Sequence, residues 1–213
     1  MDKNMKWLNE VKIERTISAL NENHINGYFV RSNEELMKLI DTIVKEGATV
    51  SCGGSMTLFE TGVIDHLRCG RYKFLDRYAE GLTPQDIKQI YRDSFSADAY
   101  FLSSNAITED GEIYNVDGNG NRVAALLYGP DKVIIVAGVN KIVKNIEEAV
   151  IRNERIAAPA NCKRLNTATP CTKVGKCIDC SSQSRICNEY TVIRNQRDKD
   201  RIHVIFLNEQ LGY

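Results

Sequence analysis

ATVSCGGSMTLFETG, residues 48–62, is the stretch on which the fold turns. A short apolar strand, ATVSC, runs into a glycine turn, and MTLFETGVIDHLR restarts helical spacing beyond it. Strand, tight turn and helix make half of a βαβ unit, and the question is whether the pattern recurs. Upstream it does. Leu8, Val11, Ile17 and Leu20 fall at helical spacing within residues 5–23, and Gly27 then introduces the strand YFV. Ser32 followed by Glu35 is a capping-box pattern at the head of ELMKLIDTIVKEG, a helix stopped by Gly47.

Downstream the alternation continues. KFL is a strand, and Thr83 caps a helix, PQDIKQIYRDSF, with Pro84 at its first position. AYFLS is a strand, NAITEDGEIYNV a hairpin turning at Asp110-Gly111, and KVIIVAG the most apolar strand of all. NIEEAVIRNERIAA is a helix and IHVIFLN a last strand. The sequence thus predicts an α/β fold with a mostly parallel sheet and helices on both faces. Residues 159–190 differ: they are polar, cysteine-rich and without periodicity. They are expected to form a cysteine-rich insertion lobe in a single domain spanning 1–213.

Bulk composition narrows the function classes. Lysine plus arginine equals aspartate plus glutamate, 28 each in 213 residues. That balance argues against an extended nucleic-acid or anionic-membrane surface and leaves room for a local basic pocket. The longest apolar runs, such as VIIVAGV (133–139), are too short to span a bilayer. The start, MDKNMKWLNEVKIER, has no apolar core of signal-peptide type, so the expected location is the cytoplasm. A reducing cytosol in turn disfavours disulfides among the seven cysteines.

Three loops carry the candidate ligand site. Gly53, Gly54 and Ser55 follow a buried strand, where open α/β sheets bind ligands and where glycines let the backbone approach an anion. The pattern is neither GxxxxGK[ST] nor GxGxxG, and a plain strand-to-helix turn is the competing reading. In DGNGNR, Asn119 and Arg122 offer polar groups to an anion, against a reading as turn chemistry. The closing glutamate of a calcium loop is missing there. Lys141, just past KVIIVAG, is placed either to fix an anionic group or simply to face solvent. Glu60 is the one candidate acid/base or nucleophilic carboxylate, unless it is solvated. His24, His66 and His203 are isolated and expected to be structural.

Cys171, Cys177, Cys180 and Cys187 are spaced C-x5-C-x2-C-x6-C. Four thiolates with one tight pair are a metal set, but neither the paired-knuckle zinc spacing nor the ferredoxin spacing is matched. Cys162 lies outside that set on spacing, and Cys52 and Cys69 are remote from it.

GGSMTLFETGVID, SSNAITEDGEIYNVDGNGNRVAA, VIIVAGVNKIV, RIAAPANCKRLN and HVIFLNEQLGY together resemble the LUD domain, the lactate-utilization protein family. The resemblance runs from about Trp7 to Tyr213. It implies a Rossmann-like α/β sheet like that of the sugar-phosphate isomerase, deaminase and coenzyme A transferase superfamily. It also implies work beside iron–sulfur partner proteins in oxidising lactate to pyruvate. With no histidine in the thiol set, an iron–sulfur cluster of 4Fe-4S type is then the expected cofactor, with zinc as the alternative. Three readings follow: a redox-linked subunit binding a small anionic metabolite, a regulatory ligand-binding module stapled by zinc, or an acyl or coenzyme A transferase using Glu60. Self-association stays open.

Overall fold

A computed structural model of the chain describes residues 2–213. Helix α1 (Lys3–Glu22) leads into β1 (Asn26–Val30), and α2 (Asn33–Ile43) into β2 (Thr49–Cys52). Two short helices follow, α3 (Met56–Glu60) and α4 (Val63–Leu67), then β3 (Lys73–Leu75), α5 (Pro84–Asp93) and β4 (Ala99–Leu102). The hairpin is β5 (Ala106–Thr108) and β6 (Ile113–Asp117), succeeded by α6 (Asn121–Leu127) and β7 (Lys132–Gly138). The chain ends with β8 (Ile142–Val143), α7 (Ile146–Arg152), α8 (Ala158–Arg164), α9 (Cys171–Val174), β9 (Glu189–Ile193) and β10 (Ile202–Leu207).

Six strands form one sheet in the order β1-β10-β7-β4-β2-β3, and every pairing in it is parallel. The continuous apolar runs of its central strands are what a sheet buried on both faces requires. Their side chains alternate between two cores. Tyr100, Leu102, Val133, Ile135, Val204 and Phe206 meet Ile13 and Leu20 of α1 and Leu126 of α6. Phe101, Ile134, Val136, Ile205 and Leu207 meet Leu36 and Ile40 of α2, with Leu58 and Leu67 beyond. Helices α1 and α2, one on each face, are those expected from the periodicity.

The hairpin does not join this sheet. It builds a second one, β8-β5-β6-β9, in which β9 pairs antiparallel with β6. β9 begins inside the segment read as an aperiodic lobe, because a half-exposed edge strand carries little hydrophobic signal. The lobe is also shorter at its start. The helix of α7 runs through a π turn (Asn153–Ala157) directly into α8, so residues 158–164 are helical. Pro159 cannot donate a backbone hydrogen bond, and the wider π turn just before it absorbs the misfit. The helix expected after the glycine loop is broken in two at Gly62, whose left-handed φ of 77° ends α3 and starts α4. Gly111 makes the hairpin turn at φ 78°, and a methyl there would sit 2.7 Å from the Ala19 backbone of α1.

All six carboxyl ends of the parallel strands emerge on one edge. After β2 the chain leaves towards β3, and after β4 it returns towards β7, so the loops behind these adjacent strands diverge. That divergence is the topological switch point at which open α/β sheets place ligands.

Candidate functional site

A cavity of about 230 Å³ opens at this switch point. Its floor comes from strand ends: Gly54 and Ser55 after β2, Arg77 after β3, Ser103–Asn105 after β4, and Lys141 after β7. Tyr213, beyond β10, completes that side. The second sheet supplies Val116 and Asp117, the loop behind it Asn119 and Arg122, and α8 closes the wall with Asn161 and Arg164. Five of the six expected ligand residues therefore gather here, with Gly53 immediately behind them.

Gly53 is explained by Arg122. A methyl on Gly53 would lie 2.7 Å from Arg122 Cγ and 2.8 Å from Cδ. The guanidinium so admitted is fully engaged with its own protein. It donates to Asn115 Oδ1 at 2.6 Å, the Val116 carbonyl at 2.7 Å, Asn105 Oδ1 at 3.3 Å and the Ser103 carbonyl at 3.4 Å. Its Nε lies 3.8 Å from Asp117 Oδ1. Asp117 in turn accepts the Arg122 N–H at 3.0 Å and the Val123 N–H at 3.3 Å. Arg122 thus ties β4, β6 and α6 into one rigid wall. Ser55 caps α3 through Leu58 N–H at 3.3 Å, but α3 has only five residues and presents little macrodipole to an anion.

Lys141 is 2% exposed, and its ammonium reaches the Tyr213 backbone oxygen at 2.6 Å. Burial, then the guanidinium groups of Arg152 and Arg122, push its pKa down to about 7, with Glu60 opposing. An amine of this kind exchanges a proton near neutrality. Arg152 is itself buried, its pKa lowered to about 10 by desolvation. It donates to the Asn140 carbonyl at 2.8 Å and the Asn105 carbonyl at 2.6 Å, joining the ends of β7 and β4. Glu60 is exposed, does not line the cavity, and accepts the Gly212 N–H at 2.6 Å. Its carboxylate holds the segment after β10 in place. The histidines stay away from the cavity: His66 contacts Asp41 at 2.9 Å and His203 stacks on Tyr28.

Two cavity cations were not anticipated. Arg77 lies over the ring of Tyr91 at 4.8 Å and that of Tyr78 at 5.3 Å, and Arg164 donates to Asn161 Oδ1 at 2.7 and 3.1 Å. Neither has a carboxylate partner among the described residues. Arg77 follows β3 at the carboxyl edge, so the argument that singled out Lys141 applies to it equally; β3 is merely a weak strand. Arg164 was hidden by the reading of 159–190 as loop. With Arg122 and Lys141 they set four cations against one cavity carboxylate, Asp117, which is already engaged.

The cysteine segment packs beside this wall: Ile186 lines the cavity and Cys187 packs under the second sheet with Tyr114 and Val116. All seven cysteines are free thiols. Cys177 Sγ accepts the Asp179 N–H at 3.3 Å across the tight pair, and Asp179 adopts a left-handed φ of 49° to do so. Arg185 gathers the loop by donating to the Cys187 carbonyl at 2.9 Å and to the Cys180 carbonyl. Cys162, left outside the set on spacing, lies near Cys171; burial and then Cys162 raise the pKa of the Cys171 thiol, which hydrogen-bonds Thr169 Oγ1 at 3.3 Å. Burial raises the pKa of Cys187, and the neighbouring Cys177, Cys162 and Cys180 thiols add to that. The donor chemistry suits a soft metal or a cluster. Among the described residues, however, no three or more His, Cys, Asp or Glu side chains are drawn together closely enough to hold a metal ion. Cys52 is unrelated: it is buried in the main core, its pKa pushed up to about 12.

No described helix is long and apolar enough to cross a membrane. Comparison with known folds finds a family protein described as DUF162 from Deinococcus radiodurans at TM-score 0.51 and 16% identity, covering 95% of this chain and 98% of that one. At that identity the likeness shows the fold. Another match, eIF2B beta from Chaetomium thermophilum, reaches TM-score 0.36 and 12% identity over 54% of this chain and 43% of that one. No curated protein matches the sequence. The family model of the LUD domain matches residues 13–207, which takes in every strand of both sheets and all of the cavity lining except Tyr213. The chain belongs to the LUD domain family and is a protein of lactate-utilization type.

Proposed function

We propose that the cavity binds a small organic anion of the lactate or pyruvate kind, and that the chain serves as a redox-linked subunit of organic-acid metabolism. The observation that carries this reading is the charge of the cavity: four cations at a sheet switch point, two of them with no carboxylate partner among the described residues. An anion entering there gains charge-assisted hydrogen bonds without breaking an existing ion pair. Membership of the LUD domain family supports the substrate class. Isothermal titration with lactate, pyruvate and acetate against a neutral analogue, lactamide, tests it. Saturable binding of the acids alone is expected, and equal or absent binding of all four ligands refutes the reading.

The redox half of the proposal rests on the thiols beside the cavity wall. Cys171, Cys177, Cys180 and Cys187 are the residues to hold an iron–sulfur cluster, and such a group supplies one-electron acceptance when bound. The N–H to sulfur bond at Cys177 and the carbonyls turned onto Arg185 support a loop shaped for thiolates. Electrons would pass to an iron–sulfur partner protein. Zinc in the same thiols, stapling the lobe, is the second reading, and it is favoured by the tight Cys177/Cys180 pair. Anaerobic purification followed by iron, sulfide and zinc analysis and a visible spectrum separates them. A brown protein that turns colourless in Cys177→Ser supports the cluster; a colourless protein holding one zinc refutes it.

A further inference from the structure

We infer that the oxygen atoms of the bound anion are gripped by Arg77, assisted by Arg164, and not by Arg122, which acts as a positioning residue. This rests on the anion-binding reading above and specifies which residues and which ligand class carry it.

The argument is an account of donors. Each guanidinium has five N–H groups. Those of Arg122 are directed at four oxygens of β4, β6 and their loops, with Asp117 beside Nε. Taking an anion there would mean dismantling the wall. Arg77 is the opposite case. Its contacts are the faces of two tyrosines, at 4.8 and 5.3 Å, which hold the plane of the group without using any N–H. The glycine loop runs directly beneath it: a methyl built on Gly54 would be 3.8 Å from Arg77 Nη1. A planar, pre-oriented fork with open donors beside a glycine backbone matches a carboxylate or phosphate in two-point fashion. Arg164, with Asn161 as its partner, lines the same cavity.

Size limits the ligand. A cavity of about 230 Å³ accommodates a short organic acid. Lys141 then lies at the buried end, where its Nζ, held by the Tyr213 oxygen, faces the ligand's hydroxyl or oxo oxygen. The ligand class is therefore a short hydroxy or oxo acid whose oxyanion end sits at Arg77.

Titrations of lactate, pyruvate and inorganic phosphate into the intact chain test this, with Arg77→Ala, Arg77→Lys and the exposed Arg197→Ala for comparison. Loss of a two-point charged contact predicts affinity about 10- to 100-fold weaker in Arg77→Ala. Arg77→Lys recovers only part of it, since lysine has no planar fork. Raising the salt should weaken the unmutated chain more than Arg77→Ala. Preference for lactate and pyruvate over phosphate identifies a carboxylate head, and the reverse a phosphate head, either of which supports the grip. Where Arg77→Ala fails to fold, Arg77→Lys decides. Binding by the unmutated chain that neither Arg77 variant weakens overturns the inference alone. Absence of binding in the unmutated chain overturns the anion-binding reading beneath it.

Discussion

Gly53→Ala is the smallest change that probes the wall of the cavity. Gly53 does not have a left-handed φ, so an alanine there suffers no backbone strain and the effect is one of space. The new methyl would meet Arg122 Cγ at 2.7 Å, Cδ at 2.8 Å and Tyr100 Oη at 3.0 Å. An arginine stem usually swings aside, but this one is anchored beyond Cδ by hydrogen bonds of 2.6 and 2.7 Å. Either the clash persists or those bonds lengthen. Overpacking of this kind costs about 1–3 kcal/mol. The entropic gain of replacing glycine, about 0.4–1 kcal/mol, offsets only part. A chain of this size loses about 2–4 °C per kcal/mol, so a fall in Tm of roughly 1–8 °C is expected by circular dichroism. Gly54→Ala, whose methyl finds nothing nearer than 3.8 Å, is the control and should leave Tm within about 2 °C. The decisive measurement is a double-mutant cycle. In an Arg122→Ala background the two clashing carbons are gone, so Gly53→Ala should cost at least about 1 kcal/mol less than in the natural chain. Strict additivity of the two changes would refute the account of why residue 53 is glycine.

Two further predictions concern buried cations. The pKa of Lys141 is about 7 in the folded chain against an ordinary 10.5, so between these values the unfolded chain binds the extra proton and stability rises with pH. The slope reaches at most about 1.4 kcal/mol per pH unit and is absent in Lys141→Met. Urea unfolding at pH 6, 7.5 and 9 checks this, and parallel profiles for the two proteins would contradict it. Arg152→Met removes the donors to the Asn140 and Asn105 carbonyls, which lie at the ends of β7 and β4. A loss of about 2–4 kcal/mol is expected, with partial recovery in Arg152→Lys; an unchanged Tm would show that those carbonyls find other partners.

Much of this molecule was legible one residue at a time. Each strand of the main sheet was visible, because a strand buried on both faces must be apolar throughout, as KVIIVAG is. Caps were visible because their chemistry is local: Ser32 binds Glu35 N–H, although Glu35 reaches back to Arg31 N–H, one residue beyond the expected partner. Thr83 and Asp86 form a complete reciprocal box at the head of α5. Gly54, Ser55, Asn119, Arg122 and Lys141 could be singled out because ligand sites follow strand ends. β9 and the separate second sheet escaped, since an edge strand with alternate exposed positions resembles a loop. Arg77 escaped because β3 has three residues and gave its end little weight.

The sequence by itself determined the α/β alternation, the parallel sheet and the family, since these depend on periodicity, turn residues and motifs that neighbouring residues carry. Only the tertiary structure decided what each cation does. Arg122 and Arg77 are the same residue type at the rim of the same cavity, yet one has its donors turned onto its own protein and the other holds them open between two tyrosines. The same holds for Cys162, which spacing excluded and folding sets against Cys171. Hydrogen-bond partners come from segments remote in sequence, and a side chain's freedom to bind is what those partners leave over.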